Sequence, residues 1–393
     1  MSTIDPSYYY LPGEDGYLLE NFSNVTAMYP TDLISSPSDM PPPPSSEPVL
    51  TFPPHFQLLI YLVYNFIFIS AVIGNILVIY VVASSPRMRT VTNYLIASLA
   101  LGDLLMALLC VPFSYISVLL QYWPFGLILC HLVSPAQATC VFVSAYTLVA
   151  LAVDRYIAIL YPLRPRLRRS QALAVILGVW IVALITAAPI AVFTRLEVDE
   201  QRAGGLPLCE ESAWSDDTLR LAYSLTLMIL QYFLPISVLA FTYSRIVIAV
   251  WGKKPPGEAE DNRDQRLARA KRKTIKTTLL VISTYTLAWL PLNLFQLYME
   301  TFTNAAQLPN IEYIFIVCHL LAMGHSAMNP IIYGAFNDRF RESFTSVLSG
   351  CSRYSRKNGG SSSNNKTSSR GSTSVLVYSN KNWVRSTRTA VRV

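Results

Sequence analysis

Seven long hydrophobic runs constrain the fold of this chain more than any other feature of its sequence. Each reaches or exceeds the roughly 20 residues that an α-helix needs to cross the hydrocarbon core of a bilayer. The chain is 52% hydrophobic and 14% charged, which is the composition of a membrane protein. The sequence therefore predicts an all-α membrane protein, a bundle of seven transmembrane helices. The runs lie at about 57–84, 92–120, 127–160, 171–193, 219–251, 272–300 and 309–334.

The distribution of charge predicts the orientation of the bundle. Residues 1–56 contain no Lys or Arg, whereas basic residues collect in the loops after the first, third and fifth runs. Basic loops remain in the cytoplasm. We therefore expect a multi-pass protein of the plasma membrane with its N terminus outside and its C terminus in the cytoplasm. Because the net charge of +7 is concentrated in these loops, we do not expect nucleic acid as a partner.

The N-terminal segment 1–56 is rich in Pro, Ser and Tyr and has no apolar periodicity. This composition is typical of a disordered tail, here an extracellular one. Asn21 and Asn24 each begin an Asn-x-Ser/Thr triplet, so both are candidate glycosylation sites. The bundle itself is expected over 57–335.

The segment after the seventh run, 336–350, has Phe340 and Phe344 one helical turn apart among charged residues. This spacing predicts a short amphipathic helix, the eighth, on the inner leaflet. Cys351 follows it as a candidate palmitoylation site. Residues 351–393 are rich in Ser, Asn, Gly and Arg and are expected to form a disordered cytoplasmic tail.

Polar residues, tryptophans and prolines recur inside the apolar runs, where polar groups are costly and are therefore candidate functional sites. Each of them alone also has a structural interpretation, such as a proline kink or an amide that ties two helices together. The six cysteines are too few and too scattered for a disulfide scaffold or a zinc site. Each run carries one such residue, in the order Asn75, Asp103, Arg155, Trp180, Pro235, Pro291 and Pro330.

Together with the segments Asp154-Arg155-Tyr156 and Asn329-Pro330-Ile331-Ile332-Tyr333, this order resembles the rhodopsin-like family of G-protein-coupled receptors over about residues 57–350. The resemblance implies a disulfide between Cys130 and Cys209, and a heterotrimeric G protein as partner. It also implies an activation switch at the cytoplasmic side and in the sixth span. The switch residues would be Asp154, Arg155, Tyr156, Tyr243, Trp289, Pro291, Asn329, Pro330 and Tyr333.

The same resemblance implies a pocket for an allosteric sodium ion, and no other cofactor is expected. Its residues would be Asn75, Asp103, Ser144, Ser326 and Asn329. His325 departs from the Asn that relatives often have there, and Tyr285 and Ala288 depart from the usual Phe and Cys before Trp289. Lys271 stands where some relatives have an acid facing Arg155, which excludes a second salt bridge between those positions.

The ligand class follows from the outer ends of the spans. Gln137 stands where amine receptors of this family place an Asp, and the seventh span lacks the Lys that an opsin needs for its Schiff base. Gln137, Gln296, Glu300 and His319 instead resemble the polar set of neuropeptide Y-like receptors, especially the invertebrate RYamide and luqin types. This implies an amidated neuropeptide with an Arg near its C terminus, which would pair with Glu300.

Other functions remain open at this stage. A tachykinin-like peptide or a lipid is the alternative ligand within receptors, and a transporter is the remote alternative outside them. A membrane enzyme is not expected, because the four histidines lack metal-site spacing. Further expected partners are membrane lipids, and arrestin and receptor kinases that act through the C-terminal tail.

Overall fold

A computed structural model of the chain describes residues 52–165, 167–198, 206–251, 262–302 and 308–358. It contains seven helices that are long and apolar enough to cross a membrane, which confirms the predicted bundle. A two-stranded antiparallel hairpin lies between the fourth and fifth helices. The helices are α1 (Pro54–Ser84), α2 (Val91–Leu120), α3 (Gly126–Leu160), α4 (Arg169–Phe193), α5 (Asp217–Val250), α6 (Asn262–Thr301) and α7 (Ile311–Phe336), and the strands are β1 (Arg195–Val198) and β2 (Pro207–Glu210).

Side chains cap two of the helices where the chain enters the bundle. At the start of α2, the Thr90 hydroxyl accepts a hydrogen bond from the Asn93 amide at 3.3 Å. At the start of α5, the Asp216 carboxylate accepts one from the Thr218 amide at 2.9 Å. Each cap satisfies a backbone N–H that has no partner within its own helix. The two caps fix where α2 and α5 begin.

Prolines shape two of the spans by forcing π-helical turns. The turn Met106–Cys110 in α2 precedes Pro112, and the turn Ile229–Phe233 in α5 precedes Pro235. A proline removes a backbone donor and clashes with the preceding turn, and one extra residue in that turn relieves the clash. The turn in α5 rotates the side chains around it, two of which line the cleft described below.

α3 is the central helix of the bundle. In its most apolar 18-residue window 67% of the residues are buried, against 17% in α4. Elsewhere helices approach closely through small residues, as membrane bundles require. At Gly74 of α1, an added Cβ would lie 2.7 Å from the Cβ of Pro330 in α7. This glycine therefore sets the distance between α1 and α7.

A further helix, α8 (Asp338–Asn358), follows α7. The sequence predicted a helix over 336–350, so the structure corrects its length. Residues 351–358, expected to be disordered, are helical, because one glycine, Gly350, costs a helix only about 1 kcal/mol and does not end it. Phe340 is fully buried and its ring stacks on that of Tyr333.

The chain divides into two compact units, residues 1–346 and 347–393. The first holds the seven spans, the hairpin and the start of α8, and the described part of the second is the rest of α8. Asn21, Asn24 and most of both predicted tails lie outside the described residues, as does the side chain of Cys351. Glycosylation, palmitoylation and tail disorder therefore remain predictions.

Candidate functional site

A cleft open to solvent lies between α3, α5 and α6. Gln137, Gln296 and Glu300 all line it, so the structure brings together three of the four residues predicted to bind ligand. Trp289, which the sequence predicted as a switch residue, lines the same cleft. Its other polar and aromatic lining residues include Ser134, Glu211, Tyr223, Ser224, Gln231, Tyr232, Tyr285 and Asn293.

The α6 wall of the cleft follows from helical spacing. Trp289, Asn293, Gln296 and Glu300 are separated by four, three and four residues, which places them on one face of a helix. The side-chain amide of Asn293 donates to the backbone oxygen of Trp289 at 2.8 Å, next to the kink at Pro291. Asn293 was missed by the sequence reasoning, although the same spacing could have found it.

His319, the fourth predicted ligand-binding residue, does not line this cleft. Its Nδ1 lies 2.7 Å from the hydroxyl of Tyr64 in α1, and Tyr115 of α2 stacks on Tyr64. These residues lie together between α1, α2 and α7, where His319 is 1% exposed. The structure therefore places this side chain towards α1, and its part in ligand binding stays a prediction.

Glu300 already has a cationic partner within the chain. Nη1 of Arg220 lies 3.7 Å from its Oε1, and Nε of Arg220 lies 3.8 Å from Oδ1 of Asp217. Glu300 is the buried member of this group, with 8% of its side chain exposed against 32% for Arg220. The sequence reasoning missed Arg220, which lies just inside the fifth hydrophobic run rather than in a loop.

The hairpin is held to the outer end of α3 by the disulfide between Cys130 and Cys209, as predicted. Leu196 of β1 pairs with Cys209, and the backbone N–H of Trp123 donates to the Pro207 oxygen at 2.7 Å. Two residues beyond Cys209, Glu211 lines the cleft. The disulfide therefore positions a second acid at the cleft, which the sequence reasoning counted only as part of an acidic loop.

The polar residues in the middle of the bundle converge on Asp103. Its carboxylate accepts hydrogen bonds from Asn329 at 2.7 Å and from Ser144 at 3.3 Å. Asn75 joins the group through the backbone oxygen of Ser326, to which its side-chain amide donates at 2.9 Å. Three of the five predicted residues thus share hydrogen bonds, and Asn75 with the Ser326 carbonyl forms a further contact one helical turn along α7 from Asn329.

The donor set of this group fits a hard cation such as sodium. Among the described residues, the amide oxygens of Asn75 and Asn329 are buried and accept no hydrogen bond. Oxygen atoms of carboxylates, amides and hydroxyls are the ligands that hard cations take. His325 packs its ring edge-to-face on Tyr285 of α6, with ring centroids 5.3 Å apart. Sodium binding remains a proposal.

Near the C-terminal end of α3, Arg155 forms an ion pair with the neighbouring Asp154 at 3.1 Å. Thr92 of α2 bridges the pair: its hydroxyl donates to the Asp154 carboxylate at 3.1 Å and accepts from the Arg155 guanidinium. The sequence reasoning identified the pair but missed Thr92. The side chain of Lys271 lies outside those that the structure describes.

A second ion pair joins the N-terminal half of α6 to the start of α8. Nζ of Lys273 lies 2.5 Å from Oδ2 of Asp338, and Arg341 contacts the other oxygen at 2.8 Å. The hydrogen bond from Lys273 lowers the pKa of the Asp338 carboxyl below its ordinary value. The carboxylate is therefore ionised at neutral pH.

Three further tyrosines are buried in the bundle, two of which, Tyr243 and Tyr333, are predicted switch residues. Tyr285 donates from its hydroxyl to the backbone oxygen of Gln231 at 2.9 Å, in the π-helical turn of α5. Tyr243 and Tyr333 are buried further in, on α5 and α7. Whether they move on activation stays a prediction.

Comparison with known proteins identifies the fold family and a set of relatives. Residues 74–333 match the family described as 7 transmembrane receptor (rhodopsin family). An RYamide receptor of Drosophila melanogaster is 50% identical to this chain over 301 residues. The matched region covers 75% of this chain and 64% of that receptor, just under two thirds of its length. An RYamide receptor of Tribolium castaneum is 44% identical over 302 residues, 75% of this chain and 81% of the relative. Neuropeptide Y receptor type 2 of Bos taurus is 36% identical over 312 residues, 78% of this chain and 80% of the relative.

Proposed function

Because the chain belongs to the rhodopsin family of seven-transmembrane receptors, we propose that it is a receptor for an extracellular neuropeptide of the RYamide type. Membership of this family makes it a signalling receptor rather than an enzyme. The ligand would be an amidated peptide with an arginine near its C terminus. Its binding would open the cytoplasmic face around Arg155 to a heterotrimeric G protein.

The observation that carries the proposal is the position of Glu300 in a cleft lined by side-chain amides. A carboxylate that is 8% exposed has lost most of its hydration and favours a cation. A guanidinium offers it two parallel hydrogen bonds of about 2.7–2.9 Å, which an ammonium cannot match. The cleft therefore suits the arginine of such a peptide.

The other lining residues suit the peptide terminus. A C-terminal amide carries both donors and an acceptor, and the side chains of Gln137 and Gln296 also offer both. Tyr223, Tyr232 and Trp289 supply aromatic surface for an aromatic residue of the ligand.

Several finer features belong to the same proposal. The N terminus would face the outside of the cell and the C terminus would face the cytoplasm. The C-terminal tail would bind arrestin and receptor kinases there, and membrane lipids would surround the bundle. The residues Asn75, Asp103, Ser144, Ser326 and Asn329 would hold an allosteric sodium ion, whose charge would balance the buried carboxylate of Asp103. The similarity to the two RYamide receptors described above supports this ligand class.

The proposal is tested by expressing the full chain in cultured cells with calcium and cAMP reporters and applying a panel of amidated peptides. We expect responses to peptides ending in Arg-Tyr-amide or Arg-Phe-amide, and a marked loss of potency when the arginine is replaced by alanine. Mock-transfected cells are the control. A receptor that answers the alanine analogues as well as the parent peptides, or answers none of the panel, would contradict the proposal.

A further inference from the structure

Arg220 presents to Glu300 the same chemical group that the proposed ligand would present. It lies on α5, and its guanidinium reaches the Glu300 carboxylate on α6 at 3.7 Å. The inference drawn from this contact rests on the proposed function.

The contact between them is loose. A distance of 3.7 Å exceeds the roughly 2.7–2.9 Å of a charge-assisted hydrogen bond, so the pair gains Coulomb attraction without direct hydrogen bonds. Glu300 is mostly desolvated, and a desolvated carboxylate is stabilised by each hydrogen bond it gains. A second guanidinium placed closer would therefore bind Glu300 better than Arg220 does.

Arg220 also has a second acid within reach. Its Nε lies 3.8 Å from Oδ1 of Asp217, one helical turn earlier on α5, and the side chain of Asp217 is fully exposed. Arg220 is itself 32% exposed. When the guanidinium leaves Glu300, Asp217 and water can receive it at little cost, because neither alternative requires burying a charge.

We propose that Arg220 is a specificity-determining residue that acts as an internal substitute for the ligand's arginine. In the receptor without ligand it balances the charge of Glu300, and the arriving guanidinium displaces it towards Asp217. A ligand must then offer more than a positive charge to bind here. An arginine, which bonds through two nitrogens, displaces Arg220 more effectively than a lysine, and a neutral side chain does not displace it at all.

This competition predicts effects of opposite sign for neighbouring substitutions. Arg220→Gln removes the competitor, so it should tighten binding of an arginine-containing peptide by about 2- to 5-fold, the range of a partly exposed ion pair. Asp217→Asn removes the alternative partner of Arg220 and should weaken the same peptide slightly. Neither change should alter the affinity of an analogue with alanine in place of arginine.

The test is competition binding on membranes that carry the full chain. The probes are a synthetic peptide ending in Arg-Tyr-amide and its analogues with lysine or alanine at the arginine position. The variants are Arg220→Gln, Arg220→Lys, Glu300→Gln and the double variant Arg220→Gln/Glu300→Gln, with surface labelling as the control for folding.

We expect Arg220→Gln to tighten the arginine peptide, to narrow the preference for arginine over lysine, and to have no effect when Glu300→Gln is also present. Arg220→Lys keeps the charge and should lie between the wild type and Arg220→Gln. Equal weakening of all three peptides by Arg220→Gln, or unchanged affinities, would overturn the role of Arg220. If Glu300→Gln weakens the arginine peptide no more than it weakens the alanine analogue, the proposed function fails instead.

Discussion

Removal of the Thr92 hydroxyl should raise the basal activity of the receptor. Thr92 is the one neighbour described here that bonds both members of the Asp154–Arg155 pair. Thr92→Val keeps the shape of the side chain and removes both hydrogen bonds. If Arg155 must leave this arrangement for a G protein to bind, the substitution lowers the cost of activation.

The magnitude follows from the exposure of the pair. A hydrogen bond to a charged group contributes about 1.5–3 kcal/mol when it is well buried. Asp154 and Arg155 are 14% and 24% exposed, so water replaces part of that loss. We therefore take about 1 kcal/mol, which shifts the equilibrium towards the active arrangement by about fivefold.

The assay is nucleotide exchange on a purified G protein without peptide, at matched surface levels of receptor. Thr92→Ser is the matched control, because it retains the hydroxyl and should keep the basal rate of the wild type. Equal basal rates for Thr92→Val and Thr92→Ser would refute the view that this hydroxyl restrains Arg155.

Two further predictions concern packing and charge. Gly74→Ala should lower the thermal unfolding midpoint, because the added Cβ would lie 2.7 Å from Pro330 and overpacking costs about 1–3 kcal/mol. Gly178→Ala is the control: an added Cβ there would have nothing within 4 Å, so the midpoint should not fall. Asp338→Asn should speed hydrogen exchange in the N-terminal half of α6, around Lys273, by removing the partner of Lys273. The pKa of Asp338 is lowered in the folded protein, so the ion pair stabilises the fold fully at any pH above the ordinary pKa of an aspartate. This stabilisation is lost as the pH falls through the lowered pKa. The ratio of variant to wild-type exchange should therefore stay constant between about pH 8 and pH 5, and a ratio that collapses within this range would contradict the pairing.

The seven spans and the disulfide could be predicted from the sequence for different reasons. Helix length and apolarity in a bilayer are local properties, so runs of more than about 20 apolar residues identify spans directly. The pairing of Cys130 with Cys209 came instead from resemblance to a family, and the structure confirms it. Within α6, the spacing of Gln296 and Glu300 placed both on the face that lines the cleft.

The contacts that the sequence reasoning missed all depend on how helices are rotated and tilted against each other. His319 bonds Tyr64, 255 residues away, and Arg220 reaches Glu300 from another helix. The π-helical turn Ile229–Phe233 shifts the register of α5, and no hydrophobic pattern reports that shift. Such contacts are settled by packing between elements, which a single sequence does not specify residue by residue.

The length of α8 was underestimated for another reason. Its anchoring residue Phe340 was recognised, but the end of the helix was placed at the last apolar residues. Polar residues beyond that point retain helical backbone geometry, because a helix already formed is extended at little cost. The start of a helix at a well-marked cap is easier to predict than a gradual end.

The most direct test of the central claim is a double-mutant cycle between Glu300 and the arginine of the peptide. Affinities are measured for wild type and Glu300→Gln, each with a peptide ending in Arg-Tyr-amide and with its alanine analogue. We predict a coupling free energy of at least about 1.5 kcal/mol, the lower range for close charge pairs across an interface, so that the alanine analogue hardly distinguishes the two receptors. Independent, additive losses of affinity would show that Glu300 does not bind the arginine and would contradict the account.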